Sequence, residues 1–402
     1  MTPDVTVIGC DGRPPGPDAA AALAAADRVA GAPRHLVGTD VPPAAERIQI
    51  TRLDDALDAI CGRPGRVAVL ASGDPGFFGI VRALRARGVS PRVIPAVSSA
   101  ALAFARLGLD WDDALVVSAH GRDPRQALAA ALAHPKVAIL TSPAPGANAR
   151  DLGAGLLAAG RRVYAAECLG TPAEQIRELT VTTPADVAEP NVLICVDPLC
   201  AGPRASQDGP RWLAGHPGAP DGWALPEDTF AHRDSMITKA EVRALVLARI
   251  GPGPGRTIWD VGAGSGSVAI ECARFGAWAI AVEADPGQCE RIRANAARHG
   301  VRLRVVEGRA PAALAGLPPA DVVFAGGGDH AALAAAIDAA RPARVVVTLA
   351  AVGRVEATAG LLADLGYRAD GVQLQASRLA PLPAGSLRLA AANPVFVLWG
   401  YR

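Results

Sequence analysis

The stretch Thr257–Ala273, TIWDVGAGSGSVAIECA, limits the fold of this chain more than any other. An apolar run ends on Asp260, glycines alternate at Gly262, Gly264 and Gly266, and a small-residue run follows. Strand, sharp turn and helix in that order belong to an open α/β sheet. Glycine supplies the backbone freedom for the turn and lets a ligand approach without a Cβ in the way. The helix that follows offers unbonded N–H groups at its start. Such a loop usually opens its domain, yet here more than two hundred residues precede it.

Those residues carry their own alternation. VTVIG is followed by a helical stretch, Ala19 to Ala30; RVAVLAS by Phe77 to Arg87; RVIPAV by Ser99 to Leu107. ALVVSAH, KVAIL, RRVYAAE and NVLICVDP continue the series to Asp197. The pattern predicts an α/β domain with a largely parallel sheet over residues 1–200. Residues 201–224 are dense in Gly and Pro and read as a linker. Alternation resumes in 225–402, where Val242, Leu245, Leu247 and Ile250 keep helical spacing. The closing alternating segments there suit an antiparallel edge.

Composition excludes several classes. The net charge of +1, with acids and bases mixed along the chain, leaves no nucleic-acid footprint. No apolar run is long enough for a membrane span, and the start, MTPDVTVIGCDG, enters a strand with no signal core, which reads as cytoplasmic. The seven cysteines include no CxxC pair and no His-linked metal spacing, so they read as small buried hydrophobes and no metal is expected. Only Lys136 and Lys239 are lysines, and the many arginines suit a ligand with carboxylates.

An acid followed by three strictly alternating glycines differs from the G-x-G-x-x-G of dinucleotide sites. The segment WAIAVEA then ends in Glu283, about 20 residues on, where a carboxylate can hold both ribose hydroxyls. This combination resembles the seven-stranded S-adenosylmethionine-dependent methyltransferases. The resemblance implies S-adenosyl-L-methionine as cofactor, held by Gly262, Ala263, Gly264, Ser265, Gly266 and Glu283, with the adenine near Arg309 and Ala310 in EGRAP.

The earlier half shows SGDPG, with Gly73, Asp74 and Pro75 at a strand end, and VSSAALAF, with Ser98 and Ser99 starting a helix. By itself Asp74 reads as an Asp-Pro turn capping the next helix rather than as a group orienting an amine or hydroxyl. Together with VIGCDG and AAECLGTPAEQIREL, these lines resemble the tetrapyrrole methylase family throughout the domain. That family also uses S-adenosylmethionine, on two α/β subdomains of unrelated fold; the likeness assigns cofactor contacts to Gly73, Asp74, Pro75, Ser98 and Ser99. Many members have Gly-Pro-Gly in the first loop, where this chain has Gly9-Cys10-Asp11-Gly12.

LPEDTFAHRDSMITKAEVRAL, AGGGDH and ANPVFVLW extend the resemblance over nearly the whole chain, to the fused corrin-ring methyltransferases of cobalamin biosynthesis. What it implies is a precorrin substrate, methylated at meso carbon 5 by the first domain. The second domain would methylate position 15 and remove the ring-C acetate carboxyl, in a homo-oligomer formed through that domain.

Arg233, Arg243 and Arg378 are the candidates for substrate carboxylates. Thr238 matches a family position near the cofactor and reads equally as the N-cap of the KAEVRAL helix. Lys239 reads as helix surface. His120, His232 and His330 are open to proton transfer, and no catalytic residue is assigned. Competing readings are a fused methyltransferase for another tetrapyrrole, a non-catalytic S-adenosylmethionine-binding protein, and a nicotinamide oxidoreductase.

Overall fold

The computed structural model describes residues 2–181, 186–198, 214–215, 219–233, 237–327 and 329–402. Most of the expected linker, 201–213 and 216–218, lies outside these residues, as does Cys200. The chain divides into two units, Met1–Arg122 with Lys136–Gly215, and Asp123–Pro135 with His216–Arg402.

The first unit holds two five-stranded sheets. The first contains β1 (Asp4–Cys10), β2 (Arg28–Gly31), β3 (Glu46–Gln49), β4 (Arg66–Ser72) and β5 (Arg92–Ile94), in the order β3-β2-β4-β1-β5. All its pairings are parallel. Its central strands are buried on both faces: Val67 and Val69 of β4 enter one core, Ala68 and Leu70 the other. Each large aliphatic side chain so buried contributes about 1.5–3 kcal/mol.

The helix expected over Ala19–Ala30 is shorter. It spans Pro17–Ala24, and Arg28–Gly31 is the buried strand β2. There the Arg28 guanidinium donates to the carbonyl oxygens of Ala59 and Arg63 at 2.7 and 2.8 Å. Sheet pairing on both edges outweighs the helix propensity of alanine. Likewise the helix expected from Phe77 begins only at Ile80.

The second sheet joins β6 (Leu115–Ser118), β7 (Lys136–Leu140), β8 (Arg162–Glu167), β9 (Gln175–Leu179) and β10 (Asn191–Val196), in the order β6-β7-β10-β8-β9. The expectation of a largely parallel sheet fails here, because only β6 and β7 run parallel. The last strand, β10, returns antiparallel between β7 and β8, and all six of its residues are buried.

The second unit is built on β11 (Thr257–Val261), β12 (Trp278–Glu283), β13 (Arg304–Glu307), β14 (Val322–Gly326), β15 (Arg344–Leu349), β16 (Arg368–Leu374) and β19 (Val395–Tyr401). Their order is β13-β12-β11-β14-β15-β19-β16. The first five strands are parallel and β19 is antiparallel to both neighbours, as the alternation at the chain's end predicts. A separate hairpin pairs β17 (Ser377–Pro381) with β18 (Leu387–Ala391). The strand order reverses direction at β11 and β14, so the carboxyl ends of these strands frame the crevice where open α/β sheets hold ligands.

No helix among the described residues is long and apolar enough to cross a membrane. Cys195, Cys272 and Cys289 are buried as expected, whereas Cys10, Cys61 and Cys168 are half-buried free thiols at the margins of packed elements.

Candidate functional site

In the second unit the loop after β11 folds onto β12: the Gly262 and Ala263 N–H groups both donate to the Val282 carbonyl, at 2.9 and 3.2 Å. Gly262, Gly264 and Gly266 all have positive φ, at 73°, 56° and 74°. They differ in what a side chain would meet. A Cβ at Gly266 would stand 2.9 Å from Ile292 Cγ2, so this glycine admits the helix behind the loop. Nothing lies within 4 Å of a Cβ at Gly262 or Gly264. The space over those two residues is open.

Two carboxylates border that space. Glu283, at the end of β12, accepts from Gly264 N at 2.8 Å through Oε2, and from Ala284 N and Asp285 N at 2.8 and 3.0 Å through Oε1. A carboxylate so held keeps lone pairs for two neighbouring hydroxyls. Asp260 is almost wholly buried; its Oδ2 accepts from Ala269 N at 3.0 Å, and its Oδ1 has no partner. Burial raises its carboxyl to about 7. The Gly308 N–H, just after β13, donates to the Glu283 carbonyl at 2.8 Å, which brings the exposed Arg309 and half-buried Ala310 to the same edge.

The segment ahead of the glycine loop is tied down by residues that the sequence reading did not single out. Glu271, fully buried, accepts from Ala224 N and Leu225 N, at 2.9 and 2.8 Å, and from Arg243 Nε at 2.8 Å. Asn295 exchanges two hydrogen bonds with the Ala231 backbone and donates to the Ser265 carbonyl at 2.9 Å, so it joins this segment to the glycine loop. The available signal was a lone carboxylate among apolar residues in SVAIECA and a lone amide in RANAAR.

Two of the three candidate arginines are engaged by protein partners. Arg243 is 0% exposed and spends its guanidinium on Glu271, on the Thr238 and Leu225 carbonyls and on the Phe230 ring. No substrate carboxylate reaches it. Arg378 is half-exposed but held by four bonds of 2.7 to 3.1 Å to Glu227 and Glu241. Arg233 is exposed and 3.3 Å from Asp285, two residues after Glu283, and so remains at the cofactor edge.

The alternative reading of Thr238 as an N-cap is corrected as well. Lys239 holds that position, without a side-chain bond, and the first helical N–H is taken by Glu227 Oε1 at 2.9 Å. Of the histidines, His120 is exposed, His232 bonds the Phe230 carbonyl, and His330 pairs with Thr358 Oγ1 at 2.9 Å.

The Arg378 bonds, first among several causes, hold the Glu227 carboxyl down at about 2, from 4.5. A depressed carboxylate contributes stability above its unfolded value and loses it as pH falls through the folded one. Arg378→Ala will therefore flatten the acid side of the stability profile between pH 4.5 and about 2. Near neutrality, with the guanidinium 43% exposed, the loss will be about 1 kcal/mol. Urea titrations at several pH values check this; an unchanged acid limb would refute it.

In the first unit, Gly73 has φ 60°, and a Cβ there would stand 3.0 Å from Ser99 N and 3.2 Å from Ser98 Cα. A side chain on Gly9 would collide with the Gly73 carbonyl and with Ala96. The ends of β1, β4 and β5 thus meet at backbone distance, bringing Gly73, Asp74, Pro75, Ser98 and Ser99 together. Asp74 Oδ1 accepts from Gly76 N at 2.8 Å, a local turn; the next helix is capped by Gly79 instead. Ser98 Oγ caps the helix Ser99–Leu107 by accepting from Ala101 N at 3.2 Å.

A seven-stranded sheet with an acid-headed glycine loop at its switch point, in one chain with a unit of two five-stranded sheets, defines a protein of two S-adenosylmethionine-dependent methyltransferase units. Residues 5–185 match the family described as Tetrapyrrole (Corrin/Porphyrin) Methylases, and residues 228–399 that described as Precorrin methyltransferase domain. A precorrin-6Y C(5,15)-methyltransferase [decarboxylating] of Sinorhizobium sp is 38% identical over 401 residues, covering 95% of this chain and 92% of the relative. The enzyme of the same description from Mycobacterium tuberculosis is 33% identical over 313 residues, 74% and 73% of the two chains. A cobalt-precorrin-6B C(15)-methyltransferase (decarboxylating) of Salmonella typhimurium is 37% identical over 185 residues, 43% of this chain and 94% of that one. The chain belongs to the precorrin-6Y C(5,15)-methyltransferase (decarboxylating) family.

Proposed function

We propose that the chain is a bifunctional S-adenosylmethionine-dependent C-methyltransferase of cobalamin biosynthesis. It methylates meso carbons 5 and 15 of precorrin-6B and decarboxylates the ring-C acetate, giving precorrin-8X. The observation that carries this is the presence of both methyltransferase families, in order, in a chain matched over 95% of its length by a relative of that activity.

The second unit's site fits the cofactor: open space over Gly262 and Gly264, anchored acceptors on Glu283 for ribose hydroxyls, and a buried Asp260 oxygen without a partner. S-adenosylmethionine supplies an electrophilic methyl on a sulfonium. The chain's part is mostly geometric. A meso carbon of the reduced macrocycle is enamine-like and already nucleophilic, so the residues align it with the methyl and exclude water. Decarboxylation draws on the conjugated imine of the ring as electron sink. Arg233 is the candidate for a substrate carboxylate, with Thr238, Arg309 and Ala310 at the cofactor's margin.

We assign carbon 5 to the first unit and carbon 15 with the decarboxylation to the second. The Salmonella relative supports such a division, since its description confines C(15) methylation and decarboxylation to a chain of about one unit's length. The chain is proposed to work in the cytoplasm as a homo-oligomer through the second unit. Supporting this, Leu379 and Leu389 face each other across the β17–β18 hairpin, each 69% exposed. Sedimentation of the whole chain as a monomer would exclude it.

Mass spectrometry of the product from precorrin-6B tests the main reading. Two added methyl groups and one lost carbon dioxide are expected. A single methyl without loss of carbon dioxide would mean that one unit does not act as assigned.

A further inference from the structure

At the carboxyl edge of the first unit's parallel sheet stands a hydroxyl that none of the contacts above employs. Ser72 is the last residue of β4, exposed, and directly precedes Gly73, Asp74 and Pro75. Its Oγ lies 2.9 Å from Arg34 Nη2 and 2.9 Å from His35 Nε2. A guanidinium can only donate, so Oγ accepts from Arg34; with the ring proton of His35 on Nδ1, Oγ donates its own proton to Nε2. That arrangement needs an unprotonated Nε2. Burial, aided by the neighbouring Arg34 cation, lowers His35 to about 4, which keeps the ring neutral near pH 7.

Both side chains come from the short helix Pro33–Gly38 that follows β2. Cys10, the register partner of Ser72 on β1, is pushed up to about 11 by burial and stays a thiol. The Asp11 carboxylate is engaged by Arg13. A hydroxyl held between a fixed cation and a neutral imidazole, at the carboxyl end of a parallel strand, is the arrangement that activates a serine.

We propose that Ser72, relaying to His35, is the base that removes the meso-carbon proton in the first unit's methylation. This rests on reading that unit as a meso-carbon methylase. The enamine pair forms the C–CH3 bond while the S–CH3 pair stays on sulfur. The meso carbon then carries both methyl and hydrogen beside a cationic imine. As Ser72 Oγ takes that hydrogen as a proton, the C–H pair returns to the ring and restores its conjugation. The hydroxyl's own proton passes to His35 Nε2, which at about 4 is too weak a base to keep it near pH 7 and gives it up to solvent, while the Arg34 N–H steadies the charge on Oγ. The cationic donor becomes a neutral thioether and one proton is released, so charge balances.

The test uses the full chain carrying Gly264→Arg, so that one turnover reports the first unit alone. Enzyme in excess is mixed with S-adenosylmethionine and precorrin-6B; S-adenosylhomocysteine is followed by quenching and restored conjugation by visible absorption. The two signals should rise together with Ser72 and His35 intact. With Ser72→Ala the thioether should form near the parent rate while absorption recovers about 100-fold more slowly. His35→Ala should behave alike and regain speed with added imidazole, Ser72→Thr should keep most of the rate, and the double variant should be no slower than either single one.

Signals that stay in step at the parent rate in Ser72→Ala overturn the relay. So does a His35→Ala defect that imidazole does not relieve, or loss of S-adenosylmethionine binding by the first unit in Ser72→Ala. If the parent chain transfers no methyl at all, the reading of the first unit fails and the relay with it.

Discussion

Arg243→Ala will cost the second unit about 3–5 kcal/mol, the range for removing one partner of a buried ion pair. Arg243 and Glu271 side chains are both 0% exposed, so the variant leaves a buried carboxylate whose remaining cationic partner is Arg274 at 3.4 Å. Coulomb attraction alone does not set this cost; the buried carboxylate left with the longer Arg274 contact does. Replacing both residues by methionine should therefore cost less than removing the arginine alone. Glu271 also accepts from Ala224 N and Leu225 N, and Arg243 holds the Thr238 carbonyl. Hydrogen exchange should accelerate at Leu225 and at neighbouring amides of that segment. Denaturant unfolding resolves the second unit's transition if the units unfold separately. A loss below about 1 kcal/mol, the level of an exposed pair, would refute the buried-pair account.

Gly264→Arg will abolish S-adenosylmethionine binding in the second unit and spare the first. In calorimetric titration of the whole chain the expected stoichiometry falls from two to one. The strain of a side chain at φ 56° costs about 1–2 kcal/mol, which the unit can absorb. The new side chain meets no protein atom within 4 Å at its Cβ and extends into the open space over the loop. Gly266→Ala supplies the contrast, because its Cβ would stand 2.9 Å from Ile292 and the helix behind the loop must shift. That variant should lose stability before it loses binding. Loss of both binding events in Gly264→Arg would point to a folding defect and defeat the cradle reading.

The glycine loop was legible in advance because its constraint is local. Positive φ and close approach are demands on single residues, and Gly262, Gly264 and Gly266 meet them by type alone. Glu283 was legible from its distance along the chain, since one strand–helix–strand unit has a nearly fixed length. Arg243 was not. Whether an arginine faces solvent or a buried carboxylate depends on Glu271, which is 28 positions away and on another helix. Strand β2 escaped for a related reason: four residues beyond an alanine-rich helix become a strand only when β3 and β4 flank them.

The chain's amino acids by themselves determined the α/β class of each unit and the backbone positions that must be glycine, because those follow from periodicity and local conformational freedom, while the pair of methyltransferase families was carried by the resemblance of whole motifs. Tertiary structure decided which charged groups are buried and paired and which stay exposed. It buried Arg243 on Glu271, locked Arg378 between Glu227 and Glu241, and left Arg233 at the edge. It also set Ser72 against His35, 37 positions apart. Burial and pairing arise only when distant segments meet, and they set the charge state and the reach of every ionisable side chain.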